Sequence, residues 1–301
     1  VRILNVADFD TAGDGIRTKQ AFDRHAPGWT YNATARRSRV YAWPTDQPFA
    51  LAARLGQQAD VLHLRNSFRV QHQLGLTGRP AVIHHHGTVF RRKRDALLAE
   101  QARQGVHGLA ATLDLWLTAP DDLEWLPAPY DLDWLTRLRM DNPITRDGPL
   151  RIGHAPTNRA VKSTEAFLAA VDKLSRETPV ELVLIEGQSW ERCLQLKATC
   201  HVYFDQVLLG YGNNAIEAWG LGLPVIAGAA DDTLDEYRIR FGDLPFVRAD
   251  EGTIYHALAS LIDRKARLHW GIRGMRHVYQ WHDEKTVVEQ LQSIYHRAVE
   301  H

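Results

Sequence analysis

The chain has 301 residues, long enough for two domains with a core each. It carries 36 basic and 36 acidic side chains, so its formal net charge is zero. That balance argues against a protein held on nucleic acid mainly by counterion release, although a local basic groove stays compatible with it. The two cysteines, Cys193 and Cys200, lack metal-like partners in sequence and read as free thiols of a reducing compartment. No apolar run approaches the ~20 residues of a membrane span. No secretory leader is read ahead of the first strand, so a soluble, cytoplasmic protein is expected.

In chain order, residues 1–7 (VRILNVA) read as a buried strand, followed by a turn holding Gly13 and Gly15 and a helix over 16–24. Strand, glycine turn and helix form the opening unit of a doubly wound α/β sheet, with the loop at the ligand-binding edge. The glycine pair does not match G-x-G-x-x-G, so a nicotinamide cofactor is not expected, and a plain βα turn is the alternative reading. Further strands fit residues 39–43, 61–64 and 81–85, and helices fit 49–58 and 91–105. Four cations, Arg91 to Arg94, open the second helix. There they oppose the dipole, which leaves a polar acceptor, a phosphate or a solvated face to explain them.

His84, His85 and His86 end a strand ahead of Gly87. Strand residues alternate faces, so three consecutive histidines cannot converge on one ion, and no metal site is expected. One histidine facing a cleft is the better reading. Residues 113–118 form another apolar run, and the proline-flanked stretch 125–133 reads as a rigid extended connection. The polar stretch 141–149 (DNPITRDGP) marks a domain boundary.

Beyond it the alternation restarts with a strand over 150–154 and a loop carrying Arg159 and Lys162. Ser163 or Thr164 then caps an amphipathic helix over 165–176. Two cations where a strand end meets a helix start are either a phosphate clamp or a solvated basic loop. A strand at 180–186 and a helix at 190–198 lead to the most informative stretch, residues 201–228 (HVYFDQVLLGYGNNAIEAWGLGLPVIAG). It reads as a strand, a glycine loop at Gly210 and Gly212, a short helix over 215–221 capped by Asn214, and a second buried strand. Close backbone approach at the glycines, with about half a positive charge at the helix start, makes an anion cradle. Helices and a short strand fill 233–275, and a last helix over 284–299 carries Val287, Val288, Leu291, Ile294 and Tyr295 on one face.

Two successive α/β units imply two Rossmann-like domains facing each other across a cleft. The expected divisions are residues 1–145, 146–282 and a terminal helix, 283–301, packing back towards the first domain.

With these landmarks in order, the chain resembles the GT-B glycosyltransferases, and among them the retaining family 4 group. Asp60-Val-Leu-His-Leu resembles that family's D-V-V-H strand, the run from Pro80 to Gly87 its strand-H-G element, and Leu126-Pro-Ala-Pro-Tyr-Asp131 its L-P-N-P-x-D. The run from Gly210 to Val225 is similar to G-F-G-x-x-x-x-E-A-M-A-x-G-x-P-V and is the most specific match.

The resemblance implies a metal-independent hexosyltransferase taking a UDP- or GDP-linked sugar to an acceptor hydroxyl with retention, with no resident cofactor. The acceptor is left open among a glycan, a small molecule, a protein and a modified nucleic acid. It further implies that Glu217 binds the ribose hydroxyls, that Arg159 and Lys162 neutralise the donor pyrophosphate, and that His86 lies near the reacting sugar. Gly13, Gly15, Gly210, Tyr211, Gly212, Asn213 and Asn214 would complete the donor site. Two departures stand out. The first glutamate of the family's E-x7-E pattern is Leu209 here, with Asp205 and Gln206 as its expected replacements, and Arg159 and Lys162 are closer together than the usual pair. The alternatives are an inactive GT-B module that binds a glycan or a partner, and a sugar transferase acting on modified DNA bases.

Overall fold

A computed structural model describes residues 1–37, 46–144 and 148–300. The expected strand at 39–43 and the expected division at 145/146 lie outside the described residues. By contacts the chain forms two compact units, Val1–Tyr130 with His282–His301, and Asp131–Trp281.

The first unit begins with β1 (Arg2–Phe9), α1 (Asp14–His25) and β2 (Thr30–Arg37), then α2 (Ala52–Gln58), β3 (Val61–Arg65) and α3 (Arg69–Gln73). It continues through β4 (Ala81–His85), α4 (Gly87–Gln104), β5 (His107–Ala110), α5 (Leu113–Trp116) and β6 (Leu123–Trp125). The strands form one parallel sheet in the order β2-β1-β3-β4-β5-β6. Successive residues serve opposite faces, as strand geometry requires. Ile3, Val61 and Val82 enter one apolar cluster, and their neighbours Leu4, Leu62 and Ile83 enter another. Burial on both faces is why these strands read as continuous apolar runs.

The second unit comprises α6 (Leu132–Asp141), β7 (Leu150–His154), α7 (Thr164–Ser175), β8 (Val180–Leu184), α8 (Trp190–Ala198) and β9 (Val202–Phe204). It ends with α9 (Asn213–Gly220), β10 (Val225–Ala227), α10 (Asp231–Phe241), β11 (Val247–Arg248), α11 (Ile254–Ser260) and α12 (Arg264–Trp281). Its parallel sheet runs β11-β10-β9-β7-β8. Phe167 and Phe204 stack at 4.5 Å between ring centroids inside its core, beside Ile152, Val202 and Ile226. The chain closes with α13 (Glu284–Glu300), whose Val287, Val288, Leu291, Ile294 and Tyr295 join Ile3, Phe22 and Val82 in the first unit.

Several local expectations are revised. Residues 49–51 form a 3-10 turn ahead of α2. Helix α4 starts at Gly87, so Arg91 to Arg94 occupy its second turn, clear of the amino end, where Arg91 pairs with Asp114 and Arg94 with Asp95. Residues 113–116 are a helical turn. The 125–133 stretch is extended only until Asp131, which caps α6 by accepting from the Trp134 amide at 2.8 Å. Ser163 holds the N-cap position of α7 but makes no side-chain cap bond, and Asn214 does not cap α9. Ser163 has left-handed backbone (φ 48°) and turns its hydroxyl to Glu251, and Gly212 occupies the N-cap of α9. Strands β2 and β5 and helix α6 escaped the sequence reading. An edge strand such as TYNATARR pairs on one side only and lacks the apolar run that betrays an inner strand.

Candidate functional site

Each sheet has its first strand flanked by its second on one side and its third on the other, so the strand order reverses between β1 and β3, and again between β7 and β9. At such a switch point adjacent loops diverge and leave a crevice outside the carboxyl ends of the strands. Both crevices hold buried charge.

In the second unit, the loop after β7 brings Lys162 to the loop after β9. Its Nζ donates to Asp205 Oδ1 at 2.6 Å, and Asp205 Oδ2 accepts from the Gly212 amide at 2.7 Å. Lys162 is 8% exposed and Asp205 1%. Both carboxylate oxygens are thus engaged in tying three segments together, and Asp205 acts as a clamp on Lys162 and on the start of α9. His154, at the end of β7, reinforces the tie. Its Nδ1 donates to the Phe204 carbonyl at 3.0 Å, which leaves Nε2 to accept from the Thr164 hydroxyl at 2.9 Å. Burial pushes this histidine down to about 4, so it stays neutral.

Gln206 donates to the Gly210 carbonyl at 3.0 Å and holds the loop closed. Gly210 has φ +80°, and a Cβ there would lie 2.1 Å from the Tyr237 hydroxyl, so only glycine fits. The Tyr211 ring is turned into the core, edge-on to Trp219, with its hydroxyl 2.9 Å from His277 Nε2. Gly212, Asn213 and Asn214 are half-buried around the first turn of α9, where backbone amides gather positive potential. Asn214 spans to the Ala155 carbonyl at 3.0 Å and accepts from Lys197 at 2.5 Å.

Glu217 is buried within α9. Oε1 accepts from Trp190 Nε1 at 2.8 Å and Oε2 from Lys197 Nζ, and the Trp190 ring leans on Trp134 at 5.3 Å. Burial opposes the charge on Lys197, but Glu217, together with Cys193 and Asp205, raises the lysine above its ordinary value. Arg159 stands apart from this group. It is surface-exposed and paired with Glu186 at 2.8 Å and Glu165 at 3.1 Å. Leu209 is half-buried and bridges to Ala229. Lys197 and His154 went unrecognised in the sequence because one resembles a solvated helix residue and the other a plain strand end.

In the first unit, the turn after β1 is built by Asp10, whose carboxylate accepts from the Gly15 amide at 2.8 Å and the Ile16 amide at 3.3 Å. Gly13 takes left-handed backbone (φ 67°), and a Cβ on Gly15 would lie 2.9 Å from Asn5 Nδ2. Behind the turn, Arg65 ends β3 fully buried. It donates to Asn5 Oδ1 at 3.0 Å, to Asp14, to His86 Nε2 at 2.9 Å and towards His84 Nδ1 at 3.4 Å. Arg17 adds a contact to Asp14 at 3.4 Å. Burial alone would raise Asp14, but the Arg65 and Arg17 guanidiniums hold it well below the carboxylate range. His86 is pushed down to about 3 by burial. A guanidinium can only donate, so neutral His86 accepts at Nε2 and carries its proton on Nδ1.

As strand alternation requires, His85 leaves the other two histidines and meets Gln101 at 3.0 Å beside Phe90. Ligand atoms of Asp14, His84 and His86 lie within 4.8 Å of one another, a spacing that suits a metal ion. The Arg65 guanidinium occupies the middle of that group as its resident cation. Asp14 and Arg65 were missed in the sequence because their partners lie on three different strands and a turn.

No protein-family model matches the chain, and no curated protein matches it. Solved structures do match along nearly its whole length. Anabaena HepE in complex with UDP has a TM-score of 0.62 at 12% identity, covering 97% of this chain and 99% of that one. An alpha-glucosyltransferase in complex with UDP and a 13-mer DNA containing an HMU base gives 0.65 at 12%, covering 98% and 99%. A glycosyltransferase from Rickettsia africae gives 0.66 at 12%, covering 99% and 98%. The fold is therefore that of the GT-B glycosyltransferases, two parallel α/β units with helices around each sheet.

Proposed function

We propose that the protein is a glycosyltransferase moving a sugar from a nucleoside diphosphate donor to an acceptor hydroxyl, with retention and without a metal. The observation that carries this reading is the second unit's switch point, where Lys162 Nζ and the Gly212 amide share one carboxylate at the start of α9. An incoming diphosphate offers stronger acceptors than a single aspartate. Lys162 has three N–H donors and gives one to Asp205, so two can reach the phosphate while Asp205 keeps the ammonium aimed. Charge builds on the departing diphosphate in the transition state, where a preorganised cation and helix amides act most strongly.

Glu217 takes the ribose hydroxyls, with Lys197 and Trp190 fixing its plane. Arg159 reaches the outer phosphate by exchanging Glu186 for it. Asp205 and Gln206 shape the site in place of the residue lost at Leu209. His86 enters as an Nδ1–H donor to a substrate oxygen, since its low proton affinity excludes a general base.

UDP bound to HepE and to the DNA-linked enzyme supports a uridine donor, and UDP-glucose bound to HepE supports a hexose. The free thiols Cys193 and Cys200 support a cytoplasmic setting. A thermal-shift panel of UDP- and GDP-sugars tests the reading, because a ligand at 100 times its Kd adds about 2.7 kcal/mol. The expected result is a shift with one nucleotide series and slow donor hydrolysis, both lost in Lys162→Ala. A shift without hydrolysis under any acceptor condition would leave an inactive binding module instead. The structural match to a DNA-bound alpha-glucosyltransferase supports a second acceptor class, a modified base in DNA. Steeply salt-dependent binding of duplex DNA tests it.

A further inference from the structure

We propose that the exposed face of α12 docks on an anionic phospholipid bilayer. The helix sequence RKARLHWGIRGMRHVYQW carries five cations, Arg264, Lys265, Arg267, Arg273 and Arg276, and no carboxylate. Leu268 is 63% exposed, Ile272 43% and Tyr279 41%. With half-buried Met275 they recur at i, i+4, i+7 and i+11, so they line one stripe along the helix. Helical geometry places Lys265 and Arg276 along one border of that stripe and Arg264 along the other.

The opposite face is committed to the unit. Gly271, Gly274, His277 and Val278 are buried, and a Cβ on Gly274 would lie 1.9 Å from Trp219 Cδ1. The helix is therefore seated inward by its glycines, and Leu268 and Ile272, the outermost of the stripe, are surplus to the core.

Neighbouring acids do not neutralise the border. Asp243 is held by Arg273, and Asp263 caps the Ala266 amide at 3.0 Å. Arg267 turns back to the Leu261 carbonyl at 2.8 Å. Among the described contacts, Arg264, Lys265 and Arg276 meet no carboxylate. Beside the stripe lies an open groove of about 420 Å³, whose lining includes His269, Arg273, Arg276, Gln280 and Trp281. Donors above an aromatic wall suit a phosphodiester headgroup, while Leu268 and Ile272 suit the acyl boundary.

Charge complementarity selects the occupant. A second copy would set the three border cations against their own counterparts, and duplex DNA gives two exposed aliphatic side chains nothing to bury in. An anionic bilayer answers both the charge and the apolar surface. Among the described residues no helix is long and apolar enough to cross a membrane, so the contact is peripheral.

Flotation with equimolar phosphatidylglycerol/phosphatidylcholine vesicles tests this without reference to enzymatic activity. The wild-type chain should bind them and leave pure phosphatidylcholine vesicles free. Leu268→Gln/Ile272→Gln should weaken binding by more than tenfold. Lys265→Gln/Arg276→Gln should weaken it by roughly fivefold per residue and blunt its salt dependence. Both variants should melt as the wild type does. The proposal fails if the wild type ignores anionic vesicles, binds neutral ones equally, or is unaffected by either double substitution. It also fails if sedimentation shows a dimer that Leu268→Gln/Ile272→Gln splits, or if the face retains duplex DNA in place of lipid.

Discussion

Two crevices with the same strand-order reversal are furnished in opposite ways. After β3, Arg65 donates through Nε and Nη1 to Asn5, Asp14, His84 and His86, and only its Nη2 is left without a partner. After β9, Lys162 meets one aspartate and keeps donors in hand. Topology places charge at both sites, but the number of built-in partners decides whether that charge holds the fold or remains available. A cation spread over several built-in acceptors is spent on the fold, whereas one aimed by a single carboxylate keeps N–H donors for a ligand.

The largest expected effect lies in the first crevice. Arg65→Met leaves buried Asp14 with only the 3.4 Å contact to Arg17, and denaturant unfolding should show a loss of about 3–5 kcal/mol. A loss under 1 kcal/mol would end the view of Arg65 as a structural cation. Next comes Lys162→Ala, expected to lower turnover by on the order of 10²–10³-fold, about 2.7–4 kcal/mol of transition-state stabilisation. Steady-state rates near the wild type would place the leaving-group cation elsewhere.

Acid should separate the units. Burial depresses His85 to about 4, His86 to about 3 and His282 to about 4 in the first unit, and His154 to about 4 in the second. Unfolded histidines titrate near 6.5, so between 6.5 and these values the unfolded chain binds more protons. The stability they supply is complete above about pH 6.5 and is lost as the pH falls towards 4. Hydrogen exchange at pH 5 should show the first unit loosening before the second, and the reverse order would contradict the assignment. The smallest effect belongs to Arg159→Ala. Its side chain is exposed and doubly paired, so turnover should fall by about tenfold with the melting temperature unchanged. A decline as deep as that of Lys162→Ala would show the two cations acting as one unit.

Much of this was legible in the chain. The alternation of apolar runs with helical stretches announced two α/β units, because strands buried on both faces have no polar alternation to hide them. The glycine loop at Gly210 and Gly212, the short helix after it and the strand on either side were legible in residues 201–228. What stayed hidden was pairing across distance. Asp205 reads as a stand-in for the glutamate lost at Leu209 until Gly212 and Lys162 are seen on its two oxygens, and Tyr211 reads as ligand-facing until its ring is found against Trp219. The turn at Asp131 escaped because a proline-flanked run looks extended whether or not a capping aspartate ends it.

The placement of α13 carries a consequence for how the chain is made. Residues 131–281 are threaded between the two parts of the first unit, and Val287, Leu291 and Ile294 cover Ile3, Phe22 and Val82. During synthesis the second unit can complete its sheet while the first still lacks one wall. The segment translated earliest therefore finishes last, and a ribosome that stops before residue 284 leaves behind an open apolar face with no local sequence to close it.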